Sequence, residues 1–207
     1  IPIVGFILYL IIGQDYHKNK MFKAKEIEGE LKYAVRRQEE TIYHRQLKMT
    51  SPALNRFRDL VLYNLEAGQA VLTDNNDIRI YTDGKEKFHA LIEEMKRAKK
   101  YIHVQYYIIR NDEVWQDIEK VLIEKAHEGV EVRVLFDSMG CRTMHKRDWD
   151  RLKCEGIRVA EFFPAILGQL QMRVNYRNHR KIVVIDGKVG FVGGFNVGRE
   201  YIGKDEK

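Results

Sequence analysis

A chain of 207 residues with 44% hydrophobic residues, 32% charged residues and only 3 Pro is long enough to bury a core. It is not a disordered, collagen-like or low-complexity chain. Two cysteines, Cys141 and Cys154, exclude a disulfide scaffold and fit a reducing compartment, and a net charge of +6 turns attention to nucleic acid, phospholipid headgroups or phosphorylated substrates.

Residues 1–13, IPIVGFILYLIIG, carry no charge. A spanning helix takes roughly 20 apolar residues, and this run starts at the first position, an Ile rather than a Met. Residues 1–15 are therefore expected to be the end of a transmembrane helix. A buried helix or strand, or a signal-peptide core, is the alternative, but the following GQDYHKNKMFKAK reads as a stop-transfer flank. Tyr16 to Lys48 holds 9 Lys/Arg against 5 Glu, an excess that favours the cytoplasmic side of a membrane and is drawn to anionic lipid. Ala24, Ile27, Leu31, Ala34, Val35 and Ile42 recur at helical spacing. The basic segment 16–50 is thus expected to hold a charged juxtamembrane helix over 21–48; a solvated helix without lipid contact fits the same pattern.

Ser51-Pro52 marks a break, and the globular part, 51–207, follows. Asp77–Thr82 reads as a strand and Asp83-Gly84 as a turn. Lys85–Lys100 places Phe88, Leu91, Ile92 and Met95 on one helical face. Tyr101–Ile109, β-branched and aromatic, reads as a buried strand. Asp112 can cap a helix running to about His127 and ended by Gly129, with Val114, Ile118, Val121 and Leu122 facing inward. Val130–Phe136 is a strand, 143–155 a helix and Ile157–Phe162 a strand. This alternation predicts an α/β layered domain with a largely parallel sheet. Lys181–Ile185 and Lys188–Val192 flank Asp186-Gly187, a strong hairpin signal, so the sheet is expected to be mixed and flanked by helices. No internal repeat is visible.

The chemistry concentrates in Asn178–Asn196, NHRKIVVIDGKVGFVGGFN. His179 and Lys181 stand two apart on an incoming strand and so share a face. An imidazole that can attack or carry a proton, beside an ammonium that balances oxygen charge, suits a phosphate. Gly193 and Gly194 end the returning strand, where the absence of side chains lets a phosphate come close. Asn196 can donate its amide to a phosphate oxygen. Asp186, at an odd spacing from His179 and in the first place of the turn, reads as the residue that fixes the hairpin, with catalysis as the alternative. An ordinary hairpin with a polar end would share these local features.

The pattern His179-x-Lys181-x₄-Asp186-x₆-Gly193-Gly194-x-Asn196 fixes six positions over eighteen residues. It resembles the HKD motif of the phospholipase D superfamily. The Gly-Gly pair, the strands YIHVQYYII and VRVLFDSMG, and the apolar start with its basic flank are similar to bacterial cardiolipin synthases over nearly the whole chain. The resemblance implies a phospholipase D-like fold and a catalytic set of His179, Lys181 and Asp186, with substrate phosphate bound near Asn196, Gly193, Gly194 and Gln105. It implies that two HKD motifs face one another across a site, one histidine forming a phosphohistidine and the other protonating the leaving alcohol. The implied reaction makes cardiolipin from two phosphatidylglycerol molecules with release of glycerol, on the cytoplasmic side of a bacterial membrane, with no cofactor or metal. Only one motif is present here, so 51–207 reads as the first of two such domains. Its partners are expected to be phosphatidylglycerol, anionic membrane lipid and a second HKD half, in the same chain or a second copy; no nucleic acid is expected. The family also places a carboxylate beside the catalytic imidazole; downstream stand only Glu200, Asp205 and Glu206, and the partner is expected beyond them.

Other residues carry weaker signals. His103 and Gln105 share a strand face and could reach the phosphate, or could form a satisfied polar pair. Asp137-Ser138 ends a strand where α/β sheets place ligands, or serves a turn. Tyr106 and Tyr107 are expected in the core or the pocket wall. Cys141, His145 and Cys154 match no zinc framework. Competing functions are a phospholipase D-type phosphodiesterase or nuclease, and a non-catalytic scaffold that binds anionic lipid through residues 16–48.

Overall fold

In the computed structural model, which describes residues 5–6, 30–43, 52–68, 70–73, 76–162 and 177–204, Val35 of the basic segment's apolar stripe packs within the protein. Helix α1 (Glu30–Tyr43) is followed by α2 (Pro52–Arg56) and α3 (Arg58–Gly68). Val35 on α1 and Leu65 on α3 are buried together, with Val61, Leu62 and Val71 packed around them. Gln38 fastens this layer: its Nε2 donates to the Leu72 carbonyl at 2.8 Å and its Oε1 accepts from the Leu72 amide at 2.6 Å. Residues 14–79 form this smaller unit, and residues 80–207 build the larger one. The rest of the expected 21–48 helix, and residues 1–15 apart from helical Gly5 and Phe6, lie outside the described residues. Among the described residues no helix is long and apolar enough to cross a membrane.

In the larger unit the alternating pattern becomes a five-stranded sheet. Helix α4 (Gly84–Arg97) leads into β1 (Tyr101–Tyr106); α5 (Glu113–His127) connects to β2 (Glu131–Asp137); α6 (Lys146–Cys154) connects to β3 (Arg158–Phe162). The hairpin β4 (Ile182–Ile185) and β5 (Val189–Val192) follows, then a 3₁₀ turn at Arg199–Ile202. The strand order is β3-β2-β1-β4-β5. β1, β2 and β3 are parallel, while β4 runs antiparallel to both β1 and β5. The sheet is mixed, as the hairpin signal requires.

Alternation along the strands decides the faces. Ile102, Val104 and Tyr106 of β1, Val132, Val134 and Phe136 of β2, and Val183 and Ile185 of β4 are buried. They join one core with Phe88, Leu91 and Met95 of α4 and Trp115, Ile118 and Leu122 of α5, each such side chain stabilising by about 1.5–3 kcal/mol. Trp149 of α6 stacks on Phe136, 3.9 Å between ring centroids, and meets Trp115 edge-on at 6.0 Å. Arg151 of α6 donates to both oxygens of the buried Glu119 carboxylate at 2.7 Å.

Two local expectations are corrected. Residues 77–82 do not join the sheet: Ile78 and Ile80 are 78% and 84% exposed, because alternation makes a strand only where an edge offers ladder partners. Asp83-Gly84 is a helix start rather than a free turn. The Asp83 carboxylate accepts from the Glu86 amide at 3.0 Å as the N-cap of α4. A Cβ on Gly84 would lie 1.7 Å from the Tyr201 carbonyl oxygen, so glycine here lets α4 approach the 3₁₀ turn.

Candidate active site

The hairpin presents the motif. Asp186 (φ 55°) and Gly187 (φ 68°) both adopt left-handed backbone in the 186–188 turn, which the Lys188 amide closes by donating to the Ile185 carbonyl at 3.0 Å. Beyond the β4–β5 ladder, the Gly193 amide donates to the Lys181 carbonyl at 3.3 Å. Lys181 continues the alternation of buried Val183 and Ile185 and is itself 6% exposed. His179, two residues earlier, is exposed.

The two side chains meet on one aromatic ring. The His179 imidazole lies 4.5 Å from the Tyr107 ring, tilted by 52°. The Lys181 ammonium sits over the same ring, 5.1 Å from its centroid, a cation–π arrangement. Lys181 Nζ also donates to the His179 carbonyl at 2.9 Å, so the lysine ties down the backbone that carries the imidazole. Burial holds the Lys181 pKa below the ordinary lysine value. An exposed imidazole backed by a desolvated cation is equipped to meet a phosphate oxyanion and attack its phosphorus.

Asp186 does not join this pair. It stands at the other end of β4, about 16 Å along the strand from Lys181 at the usual rise per residue, and its carboxylate accepts from three amides. These are Lys99 to Oδ2 at 2.8 Å, and Lys100 and Tyr101 to Oδ1 at 2.8 and 2.9 Å. Those bonds, Tyr101 first, hold its pKa below the usual carboxylate value.

The residues expected at the phosphate divide. Gly193 and Gly194 are exposed, with open space where a Cβ would stand. Asn196 is buried, and both ends of its amide have protein partners. Oδ1 accepts from the Ile108 amide at 3.1 Å and Nδ2 donates to the Tyr201 hydroxyl at 2.7 Å. Gln105 Nε2 donates to Asn178 Oδ1 at 2.8 Å. Gln105 thus bonds the side chain of the residue before His179, and Asn196 the backbone of the residue after Tyr107. His103 turns to Glu131 at 3.1 Å and stacks on Tyr101 at 4.5 Å, a satisfied polar pair. Glu200 is paired with Arg110 at 3.2 Å.

Tyr107, expected in the core or the pocket wall, and Asp137, expected at a ligand or in a turn, both touch the motif. Asp137 is fully buried; Oδ2 accepts from the Asn178 amide at 3.0 Å and Oδ1 from the Met139 amide at 2.9 Å. Cys141 accepts from the Ile109 amide at 3.2 Å and donates to the Tyr107 carbonyl at 3.6 Å. Burial pushes its thiol up to about 12, which keeps it a neutral donor. The available signal was position: Tyr107 and Asp137 both stand at the C-terminal ends of parallel strands, where such sheets assemble their sites. Among the described residues no cluster of three or more His, Cys, Asp or Glu could hold a metal.

The family described as "Cardiolipin synthase, PLD-like domain" matches residues 91–206. Cardiolipin synthase 2 of Staphylococcus epidermidis is 44% identical over 208 aligned residues, covering 100% of this chain and 43% of that protein. Cardiolipin synthase of Oceanobacillus iheyensis is likewise 44% identical, with 100% and 43% covered. The chain therefore spans less than half the length of these curated relatives. Among solved structures, NucT from Helicobacter pylori aligns at 18% identity and a TM-score of 0.44, covering 59% of this chain and 74% of that one. With the family's profile matched across strand, crossover and hairpin, and the exposed imidazole and buried lysine converging on one ring, the chain belongs to the cardiolipin synthase family of phospholipase D-like domains.

Proposed function

We propose that this chain supplies the first half of a two-motif phosphatidyltransferase that makes cardiolipin from two phosphatidylglycerol molecules and releases glycerol. The observation that carries the reading is the convergence of exposed His179 and buried Lys181 on Tyr107, in a domain of this family. In the first step an imidazole nitrogen attacks the phosphorus of one phosphatidylglycerol. The P–O bond to the headgroup breaks, and the histidine of the other motif, the second of the pair, protonates the departing glycerol oxygen. The phosphohistidine is then attacked by a headgroup hydroxyl of the second phosphatidylglycerol, whose proton returns to that second histidine. Lys181 balances charge on the phosphoryl oxygens, while Gly193 and Gly194 leave room for the headgroup. Asp186 serves by fixing the hairpin. The second motif comes from the remainder of a longer chain or from a second copy.

The membrane reading is part of the same proposal. Residues 1–15 end a transmembrane helix, and the basic segment 16–50 lies against the anionic cytoplasmic leaflet, where each basic residue contributes about 1 kcal/mol. His179 then meets headgroup phosphates at the bilayer surface of a bacterial cell.

The test incubates the full-length protein in micelles with labelled phosphatidylglycerol and separates the products. Cardiolipin with an equivalent of glycerol supports transfer. Phosphatidic acid alone would replace transfer with hydrolysis, and no lipid turnover would overturn the reading. His179→Ala should lower turnover by at least ~10³.

A further inference from the structure

We infer that Tyr107 is a positioning residue whose ring face, not its hydroxyl, sets the His179 imidazole and the Lys181 ammonium in register. The inference rests on the phosphoryl-transfer reading but concerns a residue outside the motif. Three observations carry it. First, the ring touches both groups, His179 at 4.5 Å and Lys181 Nζ at 5.1 Å from the centroid. His179 is exposed, so it lacks the burial that would otherwise restrict its rotamers; an aromatic wall on one side removes part of that freedom.

Second, the backbone that carries the ring is held from two directions. On one side a Cβ on Gly140 would come within 1.9 Å of the Tyr107 carbonyl oxygen, and Cys141 Sγ donates to that carbonyl. On the other side Asn196 accepts from the Ile108 amide, the Val197 amide donates to the Ile108 carbonyl at 3.1 Å, and the Arg110 amide donates to the Val197 carbonyl at 2.9 Å.

Third, the loop that backs Tyr107 also holds the residue before His179. Asp137, at the loop's start, accepts from the Asn178 amide. One segment, 137–141, thereby bonds both the backbone at the strand entry before His179 and the backbone of Tyr107, whose ring His179 lies against. Placement of a reacting group within about 1 Å is worth on the order of 10²-fold in rate.

The experiment compares Tyr107→Phe and Tyr107→Leu in the full-length protein by steady-state transfer and by diethyl pyrocarbonate labelling of His179, read by peptide mass spectrometry. Circular dichroism confirms the fold of each variant. The Leu variant should lose kcat by about 10–100-fold with KM within about threefold, and its His179 should label faster. The Phe variant should rescue both readouts. Equal damage from Phe and Leu would assign the role to the hydroxyl and overturn the inference. Unchanged labelling and kcat in the Leu variant would also overturn it. Labelling does not depend on turnover, so an inactive wild type that still shows the Phe/Leu difference would sink the transferase reading alone.

Discussion

Asp186 and Tyr101 stand 85 residues apart in sequence and bond each other twice: the Asp186 amide donates to the Tyr101 carbonyl at 3.0 Å, and the Tyr101 amide donates to Asp186 Oδ1 at 2.9 Å. The motif's aspartate thereby closes the hairpin turn onto the start of the central strand, at the end of the sheet opposite His179.

This clasp predicts a stability effect with a particular pH dependence. Three amides favour the ionised carboxylate, and the folded pKa is depressed. Its contribution is therefore present above the unfolded value of about 3.9 and is lost as pH falls through the lower folded value. Asp186→Asn should unfold at lower denaturant than wild type at pH 7, and the gap should close below about pH 4. A constant gap across that range in urea titrations would show that the charge is not what the amides hold.

Lys87 makes the opposite case. Its ammonium is buried over Phe88 at 3.9 Å, its Nζ donates to the Tyr106 hydroxyl at 2.7 Å, and burial lowers its pKa to about 7. Between about pH 7 and the unfolded value near 10.4 the unfolded chain binds more protons. Stability attributable to this group should rise across that window with a slope approaching ~1.4 kcal/mol per pH unit. Lys87→Met combined with Tyr106→Phe removes both polar ends and should flatten the rise. A pH profile identical to wild type would refute the assignment.

Gly193→Ala and Gly194→Ala separate fold from substrate. Neither new Cβ meets an atom within 4 Å, so the thermal midpoint should stay near wild type. A rise in KM or a fall in turnover would then report a clash with the phosphoryl headgroup, as the hairpin's open end requires. Full activity in both variants would remove these glycines from the phosphate site.

Gly140→Ala makes the contrasting prediction. Its Cβ would fall 1.9 Å from the backbone oxygen of Tyr107, and backbone cannot rotate aside as a side chain can. The variant should fold less stably and lose on the order of 10²-fold in turnover through displaced Tyr107. A crystal structure of the variant with Tyr107 unmoved would contradict this.

Metal removal gives a further expectation. Lys181 brings a desolvated cation to the imidazole's side, charge that a metal would otherwise supply to a phosphoryl group. Transfer should survive exhaustive chelation. Loss of turnover with rescue by one divalent ion would overturn it.

Local signals carried much of this protein. Asp112, the helix-start aspartate, accepts from the Val114 and Trp115 amides. The hydrophobic spacing of α4 and α5, the Asp-Gly turn and the His-x-Lys pair were all legible, because capping, periodicity and turn chemistry act within a few residues. The motif's spacing by itself also points to the family. The sequence could not say what each polar side chain of the site touches, because those partners are set by the order of strands. Placing β4 antiparallel to β1 sends Asp186 to one end of the sheet and His179 to the other. Gln105 is brought to Asn178 across the β1–β4 pairing, and Asn196 to Ile108 beside the extension of β1. Tyr107 follows the last residue of β1, where a single residue's register decides whether a ring enters the core, as Tyr106 does, or faces His179. Residues 77–82 show the same division: their alternation satisfied the local rule, but a strand exists only when another strand's edge is free beside it.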